Sequence, residues 1–392
     1  MPNTQPQDSA RSLVIVTPFY DGVGGVAIAV RQLAAQFRER GRHVVILTRG
    51  ATASVVPDAH DAGVYRLQLR VPSATLRSWC AFLAYAPIIL IRLRRFLAAH
   101  RADVVLIQFA APWHFYFGLL RPGAPWRLFI TFQGDDAHNA GGYEGLYRLF
   151  FRLLLRSADG VTGVSRSLVR KVRAAVPSAT ANMIVIPNGA PTASLDATVA
   201  EGDYAITVGL LQHRKGIDVL IRALGVLKRR GVYLRMLSVG PGEELEALRQ
   251  LARLEAVDDR IVFAGEKSHS EVIELMRRSR FFVLASRAEG LPLVVVEAMM
   301  CGRPVVATNI DGIPDIVTHE VNGLLVEPEQ ESQLADALQR MDADATMRAR
   351  YGAAARQVAE QFEWGHVAEQ YLEFLDAPPG RYATRNQGTA TA

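Results

Sequence analysis

The chain has 392 residues, 49% of them hydrophobic and 21% charged, with a formal net charge of +5. That length exceeds a single hydrophobic core and implies two domains, and that composition excludes a disordered chain. Its two cysteines, Cys80 and Cys301, lie far apart in sequence, which excludes a disulfide framework or a thiolate metal site and fits a reducing cytosol.

In chain order, the polar residues 1–11 lack the pattern of a signal peptide, which predicts a cytoplasmic protein. Residues 13–17 read as a buried strand, followed by a glycine-rich turn ending in Gly24 and Gly25, a helix over 26–40 and a strand over 43–48. This βαβ start implies a parallel, doubly wound sheet. The apolar run 79–91 contains Pro87 and falls short of the roughly 20 residues needed to span a bilayer, so a soluble or peripheral protein is expected. Further strands are predicted at 103–107, 127–131, 160–164 and 183–186. Residues 187–202 are rich in helix breakers and small residues and mark a hinge. The second half repeats the theme, with a strand at 204–208, a basic loop at 209–216 and a helix at 217–230. Strands at 234–239, 261–263, 281–284 and 305–307 follow. An aromatic-rich helix at 361–375 precedes a small, polar tail expected to be disordered. The resulting division is an N-terminal domain over 1–195, a C-terminal domain over 203–365, and a returning helix and tail over 366–392.

Charge is distributed unevenly. Residues 1–200 carry 22 Arg/Lys against 11 Asp/Glu and the rest 22 against 28, so the first part is +11 and the second −6. The basic residues are interleaved with apolar and aromatic ones in Ile91-Arg-Leu-Arg-Arg-Phe96 and in residues 146–156. Such segments suit an anionic membrane surface, or else pack inward with their arginines solvated. No nucleic-acid-binding motif accompanies the charge.

Glu289 and Glu297 stand eight positions apart across a predicted strand, loop and helix, with Pro292 at the helix start and Gly302 at its end. The helix start favours a phosphate through its free N–H groups and positive dipole end. An acid could serve there as a surface complement to the dipole. An ionised carboxylate on so apolar a helix as 293–300 nevertheless needs a partner. Two Rossmann-like domains facing a central cleft place ligands at the carboxyl ends of their strands. The second domain offers there Arg214, Lys215, Gly265, Lys267 and the glutamates. The first offers Gly22 to Gly25, including Gly24 and Gly25, the Gln133-Gly-Asp-Asp136 loop, Ser165 and Asn188. Cations, a helix start and carboxylates together suit a nucleotide sugar.

The segment Val208-Gly-Leu-Leu-Gln-His-Arg-Lys-Gly-Ile-Asp-Val-Leu220 resembles the phosphate-binding segment of retaining family-4 glycosyltransferases of GT-B fold. Residues 286–304, followed by Asn322-Gly-Leu-Leu-Val-Glu-Pro328, resemble their E-x7-E signature. Weaker echoes are Gly24-Gly25, Thr131-Phe-Gln-Gly-Asp-Asp136 and Ile186-Pro-Asn-Gly189. The resemblance implies that Lys215 and Arg214 neutralise a donor diphosphate while Gly24 and Gly25 approach it. It further implies that the N–H groups of Leu293 and Val294 meet phosphate or sugar oxygens. Glu297 would bind the ribose, Glu289 would stabilise charge at the anomeric carbon, and 262–267, with Gly265 and Lys267, would form the base pocket. Gln133 stands where relatives often carry a histidine beside the donor sugar, and Leu210 where many carry arginine. Asp136, Trp113 and Asn188 fall on the acceptor side. No metal or other cofactor is implied, the nucleotide sugar being a co-substrate. The expected activity is transfer with retention to a glycan or lipid-linked acceptor in surface polysaccharide assembly, at the inner membrane face. A nucleotide-sugar epimerase and a non-catalytic nucleotide-sugar or lipid-binding protein are the alternatives.

Overall fold

The computed structural model describes residues 12–22, 24–73, 75–177, 183–190 and 201–378. The predicted N-terminal stretch, most of the hinge and the tail lie outside them. The chain divides into two compact units, Met1–Pro187 with Val367–Ala392, and Asn188–His366. The first unit therefore ends at Pro187, ahead of the expected limit at 195.

In the first unit, strands β1 (Ser12–Thr17), β2 (His43–Arg49), β3 (Val56–Pro57), β4 (Val64–Leu67), β5 (Ala102–Gln108), β6 (Arg127–Phe132), β7 (Gly160–Gly163) and β8 (Met183–Val185) form one sheet. Their order is β3-β4-β2-β1-β5-β6-β7-β8. All pairs are parallel except β3 with β4. The strands read as continuous apolar runs because a parallel sheet is covered on both faces. All six residues of β1 are buried.

The returning helix, Trp364–Asp376, supplies Tyr371 and Phe374 to this unit. Tyr371 meets the Phe37 ring edge-on at 6.4 Å, and Phe374 meets Phe129 at 5.2 Å. Arg127 Nη1 donates to the Leu375 carbonyl at 2.8 Å, and Arg42 pairs with Asp376 at 2.6 Å. Two buried aromatic rings contribute roughly 2–3 kcal/mol each through removal of apolar surface from water, which is what docks this helix.

Helix Leu76–Ala99 is a single element of 24 residues with Pro87 inside it. It is long and apolar enough to cross a membrane by length and composition, contrary to the sequence expectation for 79–91. Its buried residues Ile89, Leu93, Phe96 and Leu97 belong to the core of the unit, while Leu76, Leu83 and Ile91 are exposed.

In the second unit, β9 (Tyr204–Val208), β10 (Arg235–Val239), β11 (Ile261–Phe263), β12 (Phe282–Leu284), β13 (Val305–Thr308) and β14 (Gly323–Val326) form an all-parallel sheet. Its order is β11-β10-β9-β12-β13-β14. Helix Ile217–Arg229 buries Leu220, Ile221, Leu224 and Leu227 at helical spacing in the core of this unit.

Candidate active site

In the second unit the carboxyl ends of β9, β10 and β12 are held together by backbone contacts that only glycine permits. Gly216 sits at φ +64°, and a Cβ there would stand 1.9 Å from the Ala285 carbonyl oxygen. Gly240 sits at φ +135°, and its Cβ would stand 2.1 Å from the Gly209 oxygen. The loop 209–216 is thereby pressed onto the strand ends, with Lys215 half-buried at the close of a 3-10 turn, His213–Lys215. Arg287 clamps it from the next strand end. Its guanidinium donates to both Asp218 carboxylate oxygens at 2.8 and 2.9 Å and to the His213 carbonyl at 2.6 Å, and its N–H donates to the Arg214 carbonyl at 2.8 Å. Burial alone would raise the Asp218 carboxyl, but Arg287 and Arg222 hold it below the usual carboxylate range.

Against this braced loop lies Glu289, buried with 7% exposure. Its Oε1 accepts from Lys215 Nζ at 2.6 Å and from Ser286 Oγ at 2.7 Å, and its N–H donates to Asp311 Oδ2 at 2.9 Å. Helix Leu293–Met300 begins four residues later with no side-chain cap. The N–H groups of its first residues, Leu293 and Val294, lie beyond the reach of intrahelical bonding. Val295, Val296, Ala298, Met299 and Met300 anchor it in the core. Glu297 rides on its outer face, where His269 Nε2 meets Oε1 at 3.0 Å. That contact raises the His269 pKa, with burial opposing it. His269 opens a helix whose capping box joins Ser268 to Glu271, and Lys267 Nζ stands 4.0 Å from Glu271. Gly265 takes φ +68° with open space around a notional Cβ, and its carbonyl accepts from Gly240 N–H at 2.9 Å.

Lys215 and Glu289 thus touch, and Gly240 joins the loop 209–216 to the segment that carries Gly265 and Lys267. Arg214 is exposed beside Lys215, its Nε donating to Gln212 Oε1 at 3.2 Å. Asn188 belongs to this unit, not to the acceptor-side domain as expected. The adjoining residues explain the difference, because Ala190 N–H donates to the Phe362 carbonyl at 2.8 Å and Gly189 abuts the Trp364 ring.

The remaining predicted residues stand in the first unit. Gly24 is the N-cap of helix Gly25–Glu39 without a side-chain hydrogen bond, and nothing lies within 4 Å of a Cβ built at Gly24 or Gly25. Packing within the unit does not require either glycine, so a need for them would come from a ligand. Gln133 is buried and donates from Nε2 to Gln108 Oε1 at 2.5 Å.

Asp136 does not present a free carboxylate to an acceptor. Oδ1 accepts from the N–H groups of Gln133, Gly134 and Ala137 at 2.8 to 3.0 Å, and Oδ2 from Ala110 at 2.8 Å. Burial pushes its carboxyl up to about 6 against those four donors, so it is ionised at neutral pH and staples the segment after β5 to the one after β6. Trp113, by contrast, lines a cavity of about 550 Å³ at the carboxyl ends of β1, β2 and β4.

The sequence reading passed over Ser286, Arg287, Asp311 and His269. Arg287 stands two positions before Glu289, but its partners Asp218 and Glu329 are 69 and 42 positions away, and no local pattern announces them. Among the described residues no group of three or more His, Cys, Asp or Glu is placed to hold a metal ion.

Two parallel-sheet Rossmann-like units, one carrying cations, an uncapped helix start and two carboxylates at its strand ends, define the class of the GT-B transferases. Solved structures of that class match the chain. Anabaena HepE in complex with UDP superposes with a TM-score of 0.74 at 21% identity, over 93% of this chain and 99% of that one. Sucrose-phosphate synthase from Thermosynechococcus elongatus gives a TM-score of 0.72 at 22% identity, over 93% and 98%. The GDP-mannose-dependent alpha-(1-6)-phosphatidylinositol monomannoside mannosyltransferase of Mycobacterium tuberculosis is 28% identical over 93% of this chain and 98% of its own length. The N-acetyl-alpha-D-glucosaminyl L-malate synthase of Bacillus anthracis is 25% identical over 90% and 93%. The family described as "Glycosyl transferases group 1" matches residues 197–358, and "Glycosyl transferase 4-like domain" matches 24–189. The chain belongs to the group 1 glycosyltransferases and is an enzyme of that kind.

Proposed function

We propose that this glycosyltransferase moves a sugar, with retention, from a nucleoside-diphosphate sugar to a glycan or lipid-linked acceptor in surface glycoconjugate assembly, working at the cytoplasmic face of an anionic membrane. The observation that carries the proposal is the buried Lys215–Glu289 contact four residues ahead of an uncapped helix start. Lys215, with Arg214 beside it, meets the leaving diphosphate, and the N–H groups of Leu293 and Val294 meet its oxygens. Glu289 stabilises positive charge at the anomeric carbon, Gln133 helps position the sugar, and Glu297 takes the ribose hydroxyls. Gly265 and Lys267 border the base. Gly24 and Gly25 leave room for the diphosphate, and Trp113 lies on the acceptor side. On this reading protein cations and N–H groups neutralise the leaving group and no metal cofactor takes part. The relatives are named as transferases or a synthase, which does not favour the epimerase or a non-catalytic binder.

Thermal unfolding against a panel of nucleoside-diphosphate sugars tests the donor. A matching donor at about 100 times its dissociation constant adds about 2.7 kcal/mol of stability. A panel that shifts nothing removes the donor assignment, and donor isomerised without acceptor would restore the epimerase.

The membrane part rests on exposed Leu76, Trp79, Leu83 and Ile91 along helix Leu76–Ala99, and on exposed Leu149 between Arg148 and Arg152 on helix Gly145–Arg156. Flotation with anionic vesicles at low salt is expected to carry the protein upward. Recovery wholly in the soluble fraction would end that part of the proposal.

His269 Nε2 holds Oε1, one of the two Glu297 oxygens that would receive the ribose hydroxyls, and so competes for it. Below the raised pKa of His269 its imidazolium holds that oxygen more strongly. The donor KM is therefore expected to rise roughly threefold as pH falls through that pKa, in line with a half-exposed ion pair. His269→Ala should flatten the profile, and a flat profile in the wild type would show that the two do not compete.

A further inference from the structure

The cavity of the first unit has an unusual charge inventory. Arg49, Arg70 and Arg77 line it, and among the described residues no Asp, Glu or Lys does. Some arginines elsewhere in this unit pair with carboxylates, as Arg42 does with Asp376, Arg66 with Asp58 and Asp21, and Arg121 with Asp159. No described carboxylate pairs with the three in the cavity. Arg70 only donates from Nε to Gln68 Oε1 at 3.1 Å and lies 4.9 Å over the Tyr85 ring. Arg49 and Arg77 are exposed and Arg70 is half-buried along its wall, so three positive side chains border one void and would be drawn to an anion entering it. Their planar forks suit the oxygens of a phosphoryl group.

The other walls fit the rest of such a ligand. Thr17, Thr48, Thr75 and Ser78 supply hydroxyls, and Phe82 and Trp113 supply aromatic faces. His114 also lines the cavity. It is buried, its Nδ1 has no hydrogen-bond partner, and burial pulls its pKa down to about 3. It is a neutral imidazole, able to give or take one hydrogen bond with a ligand hydroxyl.

We infer that this cavity is the acceptor subsite and that the acceptor carries a phosphoryl group, held by Arg49, Arg70 and Arg77, next to its hydroxylated or lipid portion. The inference rests on reading the first unit as the acceptor side and names the acceptor's chemical class. A soluble polyol phosphate and a phospholipid headgroup share that chemistry.

The test uses the full chain with saturating UDP or GDP, so that the phosphate affinity of the donor site is silent. Glycerol 3-phosphate should raise the melting temperature where glycerol and sodium chloride of matched ionic strength do not. If the phosphoryl group is borne on a lipid, phosphatidylglycerol vesicles should bind the protein more than phosphatidylcholine vesicles do, and glycerol 3-phosphate should compete weakly. In either arm the double variant Arg49→Gln/Arg77→Gln should lose affinity by about tenfold or more, as expected for two charge-assisted contacts. Stabilisation by nucleotide should stay unchanged in it, since neither arginine is near the donor residues in sequence or in the second unit. Equal responses in wild type and double variant, or no response to either probe, would overturn the inference. Loss of the nucleotide response with the Arg49/Arg77-dependent response intact would fault the donor reading alone and support this one.

Discussion

Glu289→Gln is expected to lower turnover by about 10²–10³ while the chain stays folded, because it removes the fixed charge proposed to face the developing positive charge. Glutamine keeps the shape and an oxygen that can accept from Lys215 Nζ and Ser286 Oγ, the two contacts made by Oε1. The backbone N–H bond to Asp311 at 2.9 Å does not involve the side chain and remains. What is lost is the charge, whose interaction strengthens as the transition state forms. The effect should therefore fall on kcat with donor KM little changed. Initial rates at saturating donor, together with a thermal melt, check both halves. Turnover within threefold of wild type would remove Glu289 from the chemistry and leave it a structural acid that holds Lys215.

How much of this was legible in the sequence depended on how local the cause was. The strands 204–208 and 281–284 were readable because a strand buried on both faces is an unbroken apolar run, and the structure has them at Tyr204–Val208 and Phe282–Leu284. β3 and β4 were not, since Val56–Pro57 and Val64–Leu67 are short and β3 carries a proline. Pro87 was read as an interruption. A proline inside a helix costs about 3 kcal/mol, and the burial of Ile89, Leu93, Phe96 and Leu97 in the core offsets it. In the site, glycines and glutamates were visible as a motif, but their partners were not. Ser286 and Lys215 converge on Glu289 from 3 and 74 positions away, and only the sheet order brings β9 beside β12. Asp136 erred the other way. Gly-Asp-Asp looks like an exposed, ligand-ready loop, and nothing in the residue types shows four backbone N–H groups closing on one carboxylate.

Lys215→Ala is expected to have the largest combined effect, because it removes a ligand contact and breaks a buried pair at once. The side chains of Lys215 and Glu289 are 13% and 7% exposed, so the substitution leaves a desolvated carboxylate with only Ser286 Oγ on that oxygen. Breaking a buried pair from one side costs about 3–5 kcal/mol. The variant should therefore unfold at markedly lower urea. Its donor KM should rise and its kcat fall if, as proposed, Lys215 faces the diphosphate both before and during departure. Stability and function separate in the double variant Lys215→Ala/Glu289→Gln. Neutralising the stranded carboxylate should recover most of the lost stability, because the cost lies in an uncompensated charge and not in the missing methylenes. Activity should not recover, because the double variant lacks both the lysine proposed for the diphosphate and the carboxylate proposed for the anomeric carbon. Urea midpoints and initial rates for the two single variants and the double complete the cycle. If the double variant is no more stable than Lys215→Ala, the contact at 2.6 Å is not an energetic pair. If Lys215→Ala binds and turns over donor like the wild type, the cation that meets the leaving group lies elsewhere, with Arg214 the next residue to replace.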